Sequence, residues 1–161
     1  MKSLTQEEIK EIFGNFTPYL TKEGIPNIQW ETDKLTSFKL PAPMNYGLIK
    51  VTRTRCHIKI KEHLKAALTD CYNIPEVWDT INDYGGCYNF RLQRKSTTSL
   101  STHCWGISID IDVADNPFGR NPRVNPKIIE IFREHGFLWG GNFPLKRRDG
   151  MHFEFFDLRK L

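Results

Sequence analysis

Two short segments carry side chains whose types and spacing can do chemistry together. They are Ser101-Thr102-His103-Cys104-Trp105-Gly106-Ile107-Ser108-Ile109-Asp110 and Asp149-Gly150-Met151-His152-Phe153-Glu154. Between them stand two imidazoles and a carboxylate suited to a zinc ion, His103, Asp110 and His152, with a second carboxylate, Asp149, three residues before the last histidine. Three protein ligands leave a fourth tetrahedral position for water, which is the catalytic arrangement; structural zinc sites close all four positions, often with cysteine. The four cysteines, Cys56, Cys71, Cys87 and Cys104, form no C-x-x-C pair. An open site therefore fits the pattern, with Asp149 placed to take a proton from water activated by the metal.

Strands must position these groups. Ile107, Ile109 and Ile111 alternate with Ser108, Asp110 and Asp112, a period of two that sends the isoleucines to the core. Met151, Phe153 and Phe155 alternate in the same way with His152, Glu154 and Phe156. If both strands lie in one sheet with apolar faces together, Asp110 and His152 share the other, more open face. Gly106 permits a sharp turn that returns His103 to the same ion. Spacings this short also arise by chance, so on spacing alone a zinc site and ordinary polar residues are equally good readings.

The remaining elements frame that sheet. Thr5 with Glu8 forms a capping box for a short helix ending at Gly14. Pro18, Pro26, Pro41 and Pro43 divide residues 15–47 into short pieces, with a strand or two around Trp30, Leu35, Phe38 and Leu40. Residues 1–47 thus read as an N-terminal arm packed on the core. Ile60, Leu64, Ala67, Leu68 and Cys71 make residues 57–72 an amphipathic helix, with His57 and His63 as ordinary helix residues. If residues 56–71 form one helix, Cys56 and Cys71 stand ~22 Å apart and cannot pair, and free thiols are expected. A second short helix is expected at residues 77–84. Tyr88, Phe90 and Leu92 alternate like a strand, and residues 116–122 form a turn-rich loop that would rim the site. Pro126 starts a helix with Ile128, Ile129, Ile131 and Phe132 inward and Gly136 as its stop. His135, at its C-terminal end, is excluded as a ligand. Trp139-Gly140-Gly141 leads to the last strand, and Trp139 is either a substrate-groove residue, a core aromatic, or both. The order predicts an α+β fold: a small antiparallel sheet flanked by helices, the zinc site on its open face.

A chain of 161 residues, 39% apolar and 26% charged, is large enough for one domain with its own core, residues 1–161. A net charge of +4 is mild and favours approach to polyanions, whether nucleic acid or an anionic envelope. No clustered basic helix or aromatic stacking motif accompanies it, so no nucleic-acid partner is expected. The basic cluster Lys146-Arg147-Arg148 reads as a solvated loop. No apolar run approaches the ~20 residues of a membrane span, so no stable membrane insertion is expected. The N-terminus lacks the apolar region of a signal peptide, which points to synthesis in the cytoplasm without an export signal.

The pattern S-x-H-x2-G-x3-D, followed by D-x2-H-F-E, resembles the zinc peptidases of the VanY and D-Ala-D-Ala carboxypeptidase group, the M15 family. The resemblance spans roughly residues 56–156, with residues 87–112 and 137–155 similar to the catalytic core. It implies His103, Asp110 and His152 as Zn2+ ligands, Asp149 as catalytic acid/base and Ser101 beside the substrate. It also implies an arginine that steadies the oxyanion, for which Arg91 is the better match and Arg94 the competitor. Asp149, where many members carry Glu, is similar to the L-alanyl-D-glutamate endopeptidase branch that includes bacteriophage endolysins. What this implies is a monomeric enzyme that cuts the peptidoglycan stem peptide at the L-Ala–D-Glu bond, reaching the cell wall by holin-dependent release. The alternatives are a D-Ala-D-Ala carboxypeptidase and a non-catalytic, zinc-stabilised cell-wall-binding module.

Overall fold

Helix α1 (Gln6–Phe13) begins where its capping signal puts it. The Glu8 N–H donates to the Thr5 hydroxyl and the Thr5 N–H donates to the Glu8 carboxylate. The structure is a computed structural model and describes residues 2–161. After α1 come α2 (Ile28–Lys34), β1 (Leu35–Tyr46), β2 (Ile49–His57), α3 (Lys61–Tyr72), α4 (Pro75–Trp78) and β3 (Tyr84–Gly86). Then follow β4 (Ser108–Ile111), α5 (Pro126–Glu134), β5 (Phe137–Trp139) and β6 (His152–Phe155). Strands β1 and β2 form an antiparallel hairpin, and a second antiparallel sheet has the order β3-β4-β6-β5. The fold is α+β with small antiparallel sheets.

The N-terminal region differs from its sequence reading. Trp30 lies in α2 and not in a strand, with the Asn27 side chain capping that helix. Pro18 and Pro26 lie in the short turns before α2, as read, but Pro41 and Pro43 do not break the chain. Pro41 and Pro43 sit inside β1, between the pairs Lys39↔Arg53 and Met44↔Val51, where the register shifts. Residues 40–43 of β1 face only Thr52 across that gap, so the missing proline N–H groups cost no ladder bond. Leu35 is buried, and Phe38, Leu40 and Met44 point inward and join Phe13, Phe16 and Trp30 in the core. The Phe16 ring lies 4.9 Å from that of Trp105, and the Trp105 indole donates to the Gly14 carbonyl at 2.8 Å. Phe16 and Gly14 thus pack directly on the turn that carries His103.

Cys56 and His57 end β2 and are not helical, so Cys56 and Cys71 do not share a helix as expected. All four cysteines are free and buried. His57 is also buried; its Nε2 donates to the Phe13 carbonyl and its Nδ1 accepts from the Lys59 N–H. The second short helix stops at Trp78. The strand expected at Tyr88, Phe90 and Leu92 is absent. That stretch instead pairs loosely with the chain that follows it, through Asn89 N–H to His103 O, Ser101 N–H to Arg91 O and Gln93 N–H to Ser99 O. Those backbone groups are satisfied locally, and the sheet takes Tyr84–Gly86 as its edge. The α5 helix runs as read, with Asn125 as its cap, Pro126 in its first turn and Gly136 beyond it at φ 91°. Its apolar face carries Ile128, Ile131 and Phe132 against α3 and β5. Among the described residues, no helix is long and apolar enough to cross a membrane.

Candidate metal centre

Two local devices bring His103, Asp110 and His152 together. The first is strand register. Asp110 pairs directly with His152, and Ser108 with Glu154, so four polar side chains stand side by side on neighbouring strands. The second is the turn before β4. The Ser101 hydroxyl accepts from the His103 N–H and caps a 3₁₀ turn, Thr102–Trp105. Gly106 then reverses the chain in the left-handed region at φ 67°, ψ 30°. A Cβ there would stand 3.0 Å from the backbone nitrogen of His57, which donates to the Gly106 carbonyl. The turn folds back onto the sheet, and all three side chains are buried. The sheet face read as open is therefore covered at these positions, with Thr102 resting over His152, Ser108 and Glu154.

The three ligand atoms form a nearly equilateral triangle. His103 Nε2 is 3.1 Å from Asp110 Oδ1 and 3.2 Å from His152 Nδ1, and His152 Nδ1 is 3.0 Å from Asp110 Oδ1. Tetrahedral ligands about 2.0–2.1 Å from a zinc ion stand roughly 3.3 Å apart, so the donor spacing fits. The tautomers support the same conclusion. His103 Nδ1 lies 2.7 Å from the Cys87 carbonyl, which can only accept, so Nδ1 carries the proton. His152 Nε2 lies 3.0 Å from the Glu154 carboxylate and carries its proton for the same reason. With a metal bound, both rings would be neutral and turn a lone pair toward the point they share with the Asp110 carboxylate. Three acceptors aimed at one point are favourable only around a cation.

The electrostatics agree. Burial opposes a charged His152 ring, but its hydrogen bonds to Asp110 and Glu154 push its pKa up to about 10. Burial alone would raise Asp110, yet His103 and His152 hold it far below the usual carboxylate range. The set demands positive charge, whether proton or metal, and its two imidazoles and one carboxylate are suited to zinc.

Asp149 stands beside this triangle on the turn that precedes β6. Its N–H donates to the Gly140 carbonyl, its carbonyl accepts from the His152 N–H, and its Oδ1 is buried without a hydrogen-bond partner. Gly140 makes room for that turn, since a Cβ would lie 2.5 Å from the Asp149 carbonyl oxygen. Burial raises the Asp149 pKa, with Asp110 adding to the effect and His152, Arg94 and His103 opposing it.

Two clefts reach the site. One is lined by Arg91, Arg94, Ser101, Phe118, Asp149 and His152. The other, about 330 Å³, is lined by Tyr46, Gly86, Tyr88, Arg91, His103 and Asp110. Arg91 borders both. Arg94 borders the first alone, with its guanidinium 4.9 Å over the Phe118 ring. Ser101 lies in the first cleft as well as capping the turn. Trp139 lines neither; it is half-buried against the core, and its indole donates to the Gly150 carbonyl at 2.7 Å, tying down the Asp149 turn. Sequence reasoning missed three supporting groups: Thr102, the Cys87 carbonyl and Glu154. Only Glu154 left a signal, since alternation already set it on the same face of its strand as His152.

A family model described as D-alanyl-D-alanine carboxypeptidase matches residues 94–155, a segment containing all three donors and Asp149 but less than half of the chain. No curated protein and no solved structure matches the chain. The matched segment is similar to metallopeptidases of the group that the motifs resemble. The match supports a peptidase acting on peptidoglycan, with zinc as the metal of that group.

Proposed function

We propose that this chain is a zinc-dependent peptidoglycan peptidase that hydrolyses the stem peptide at the L-Ala–D-Glu bond, as a monomeric endolysin. The single observation that carries the reading is the convergence of three lone-pair donors beside Asp149, whose Oδ1 is buried without a hydrogen-bond partner. His103, Asp110 and His152 would hold the zinc, which when bound polarises a carbonyl and makes water more acidic.

The other steps belong to the chain. Asp149, made more basic by burial and by Asp110, accepts a proton from the attacking water and returns it to the leaving amine. Arg91, bordering both clefts, offers a permanent positive charge to the oxyanion. Ser101 faces substrate in the first cleft. No nucleic acid and no inserted membrane segment take part, and the enzyme reaches the wall by holin-dependent release.

A second reading, release of terminal D-Ala, is favoured by the description of the matching family model. Mass spectrometry of muropeptides digested by the zinc-loaded protein separates the two. New N-terminal D-Glu supports the endopeptidase, whereas free D-Ala supports the carboxypeptidase. Intact muropeptides would overturn both in favour of a wall-binding module. Asp149→Ala is expected to keep zinc and lose about 10²–10⁴-fold in rate, and His103→Ala to lose both metal and cleavage. Wild-type cleavage by Asp149→Ala refutes the acid/base role.

A further inference from the structure

We propose that Glu154 is a positioning residue of the metal centre, holding the His152 ring so that its Nδ1 lone pair faces Asp110 and His103. The inference rests on the metal-binding part of the proposed function and is independent of which bond is cut.

Glu154 is 5% exposed and sits two residues beyond His152 on the same strand face. Its Oε2 accepts from His152 Nε2 at 3.0 Å and from the Thr102 hydroxyl at 3.3 Å. The Ser108 hydroxyl donates to Thr102, which leaves the Thr102 proton free for Glu154. The relay thus runs in one direction: Ser108 to Thr102, Thr102 to Glu154, with the His152 N–H closing on the same oxygen. Because an ionised carboxylate can only accept, the relay admits one tautomer of His152 and one orientation of its ring. His103 receives the equivalent support from a fixed backbone carbonyl, that of Cys87. Only the His152 arm depends on a side chain that can be replaced without moving the backbone.

Charge gives Glu154 a second part. Asp110 and Glu154 are both buried carboxylates, and the two together match the charge of one divalent ion. With two neutral imidazoles, the loaded cluster is then electrically neutral, the least costly state for a buried site. A carboxylate beyond a metal-bound histidine also raises that ligand's basicity, and loss of such a partner typically weakens metal binding 10–100-fold.

The test measures zinc affinity by chelator competition, the visible absorption spectrum of the cobalt(II) form, and thermal melting without metal. Glu154→Gln keeps an acceptor but removes the charge, and about tenfold weaker zinc binding is expected. Glu154→Ala removes both; roughly hundredfold weaker binding and an altered cobalt spectrum are expected. Thr102→Val leaves Glu154 in place but unsupported, and its loss should be a few-fold, which keeps the relay testable if a Glu154 variant does not fold. Zinc binding within twofold of wild type, with superimposable cobalt spectra, in all three variants overturns the assignment. Failure of the wild-type protein to bind zinc or cobalt would instead overturn the metal centre itself, and with it the proposed function.

Discussion

Replacing Gly106 with alanine tests whether the turn between His103 and Asp110 is under the constraint described. Two costs add. An L-residue in the left-handed region costs about 1–2 kcal/mol. The new methyl would meet the His57 nitrogen at 3.0 Å, Leu35 Cδ2 at 3.2 Å and the Cys56 carbonyl carbon at 3.3 Å. Two of these neighbours are backbone atoms of β2 and cannot swing away, so overpacking adds about 1–3 kcal/mol. Reduced freedom of the unfolded chain returns about 0.4–1 kcal/mol. The net loss is about 1–4.5 kcal/mol, centred near 3, a large share of the roughly 5–15 kcal/mol that holds a domain together. Urea denaturation without metal reads it directly, because bound metal would add its own stabilisation. Gly24→Ala is the control: Gly24 also has positive φ, at 76°, but nothing stands within 4 Å of its Cβ position. It should lose about 1 kcal/mol or less. A Gly106→Ala loss below about 0.5 kcal/mol, or one equal to that of Gly24→Ala, would refute the close-approach argument.

Three other perturbations follow from the same geometry. Burial, helped by Lys34 and Lys59 and opposed by the Phe13 hydrogen bond, pushes His57 down to about 4 from its usual 6.5. The folded state therefore prefers the neutral ring: this contribution is complete above pH 6.5 and is lost as pH falls toward 4, amounting to about 2 kcal/mol between pH 7 and pH 5. His57→Gln should flatten the stability profile in that window by the same amount, and an unchanged profile in denaturation at the two pH values contradicts it. Trp139→Phe removes the donor to the Gly150 carbonyl and should cost about 1 kcal/mol by chemical denaturation; no change would mean that the indole does not secure the turn. Zinc at a hundred times its dissociation constant should stabilise the wild-type protein by about 2.7 kcal/mol in calorimetry, and the gain should vanish in His103→Ala.

The parts legible in the sequence were the local ones. Alternation of period two put Asp110 and His152 on the polar faces of their strands because side-chain direction in a strand follows from backbone geometry alone. The capping box at Thr5, the start of α5 at Pro126 and its stop at Gly136 were legible for the same reason, each being settled within a few residues. The prolines of β1 misled, because whether a missing N–H is harmful depends on which backbone lies opposite, and at that place the register shifts. The Tyr88–Leu92 stretch misled because its alternation was satisfied by a loose pairing with its own return strand and not by the sheet.

Pairing decided the rest. Opposition of Asp110 to His152 requires that β4 and β6 meet in one register out of several, and the packing of Ile107, Ile109, Phe153 and Phe155 into the core selects it. The covering of that face by Thr102 depends on a turn held from outside by His57, some fifty residues earlier in the chain. The roles of the Cys87 carbonyl and Glu154 could be seen only once the rings they orient had been placed. Residue type thus determined by itself which atoms can bind a cation. Tertiary structure decided that three of them meet with their lone pairs inward, because only long-range packing energy is large enough to hold like partial charges at such close range.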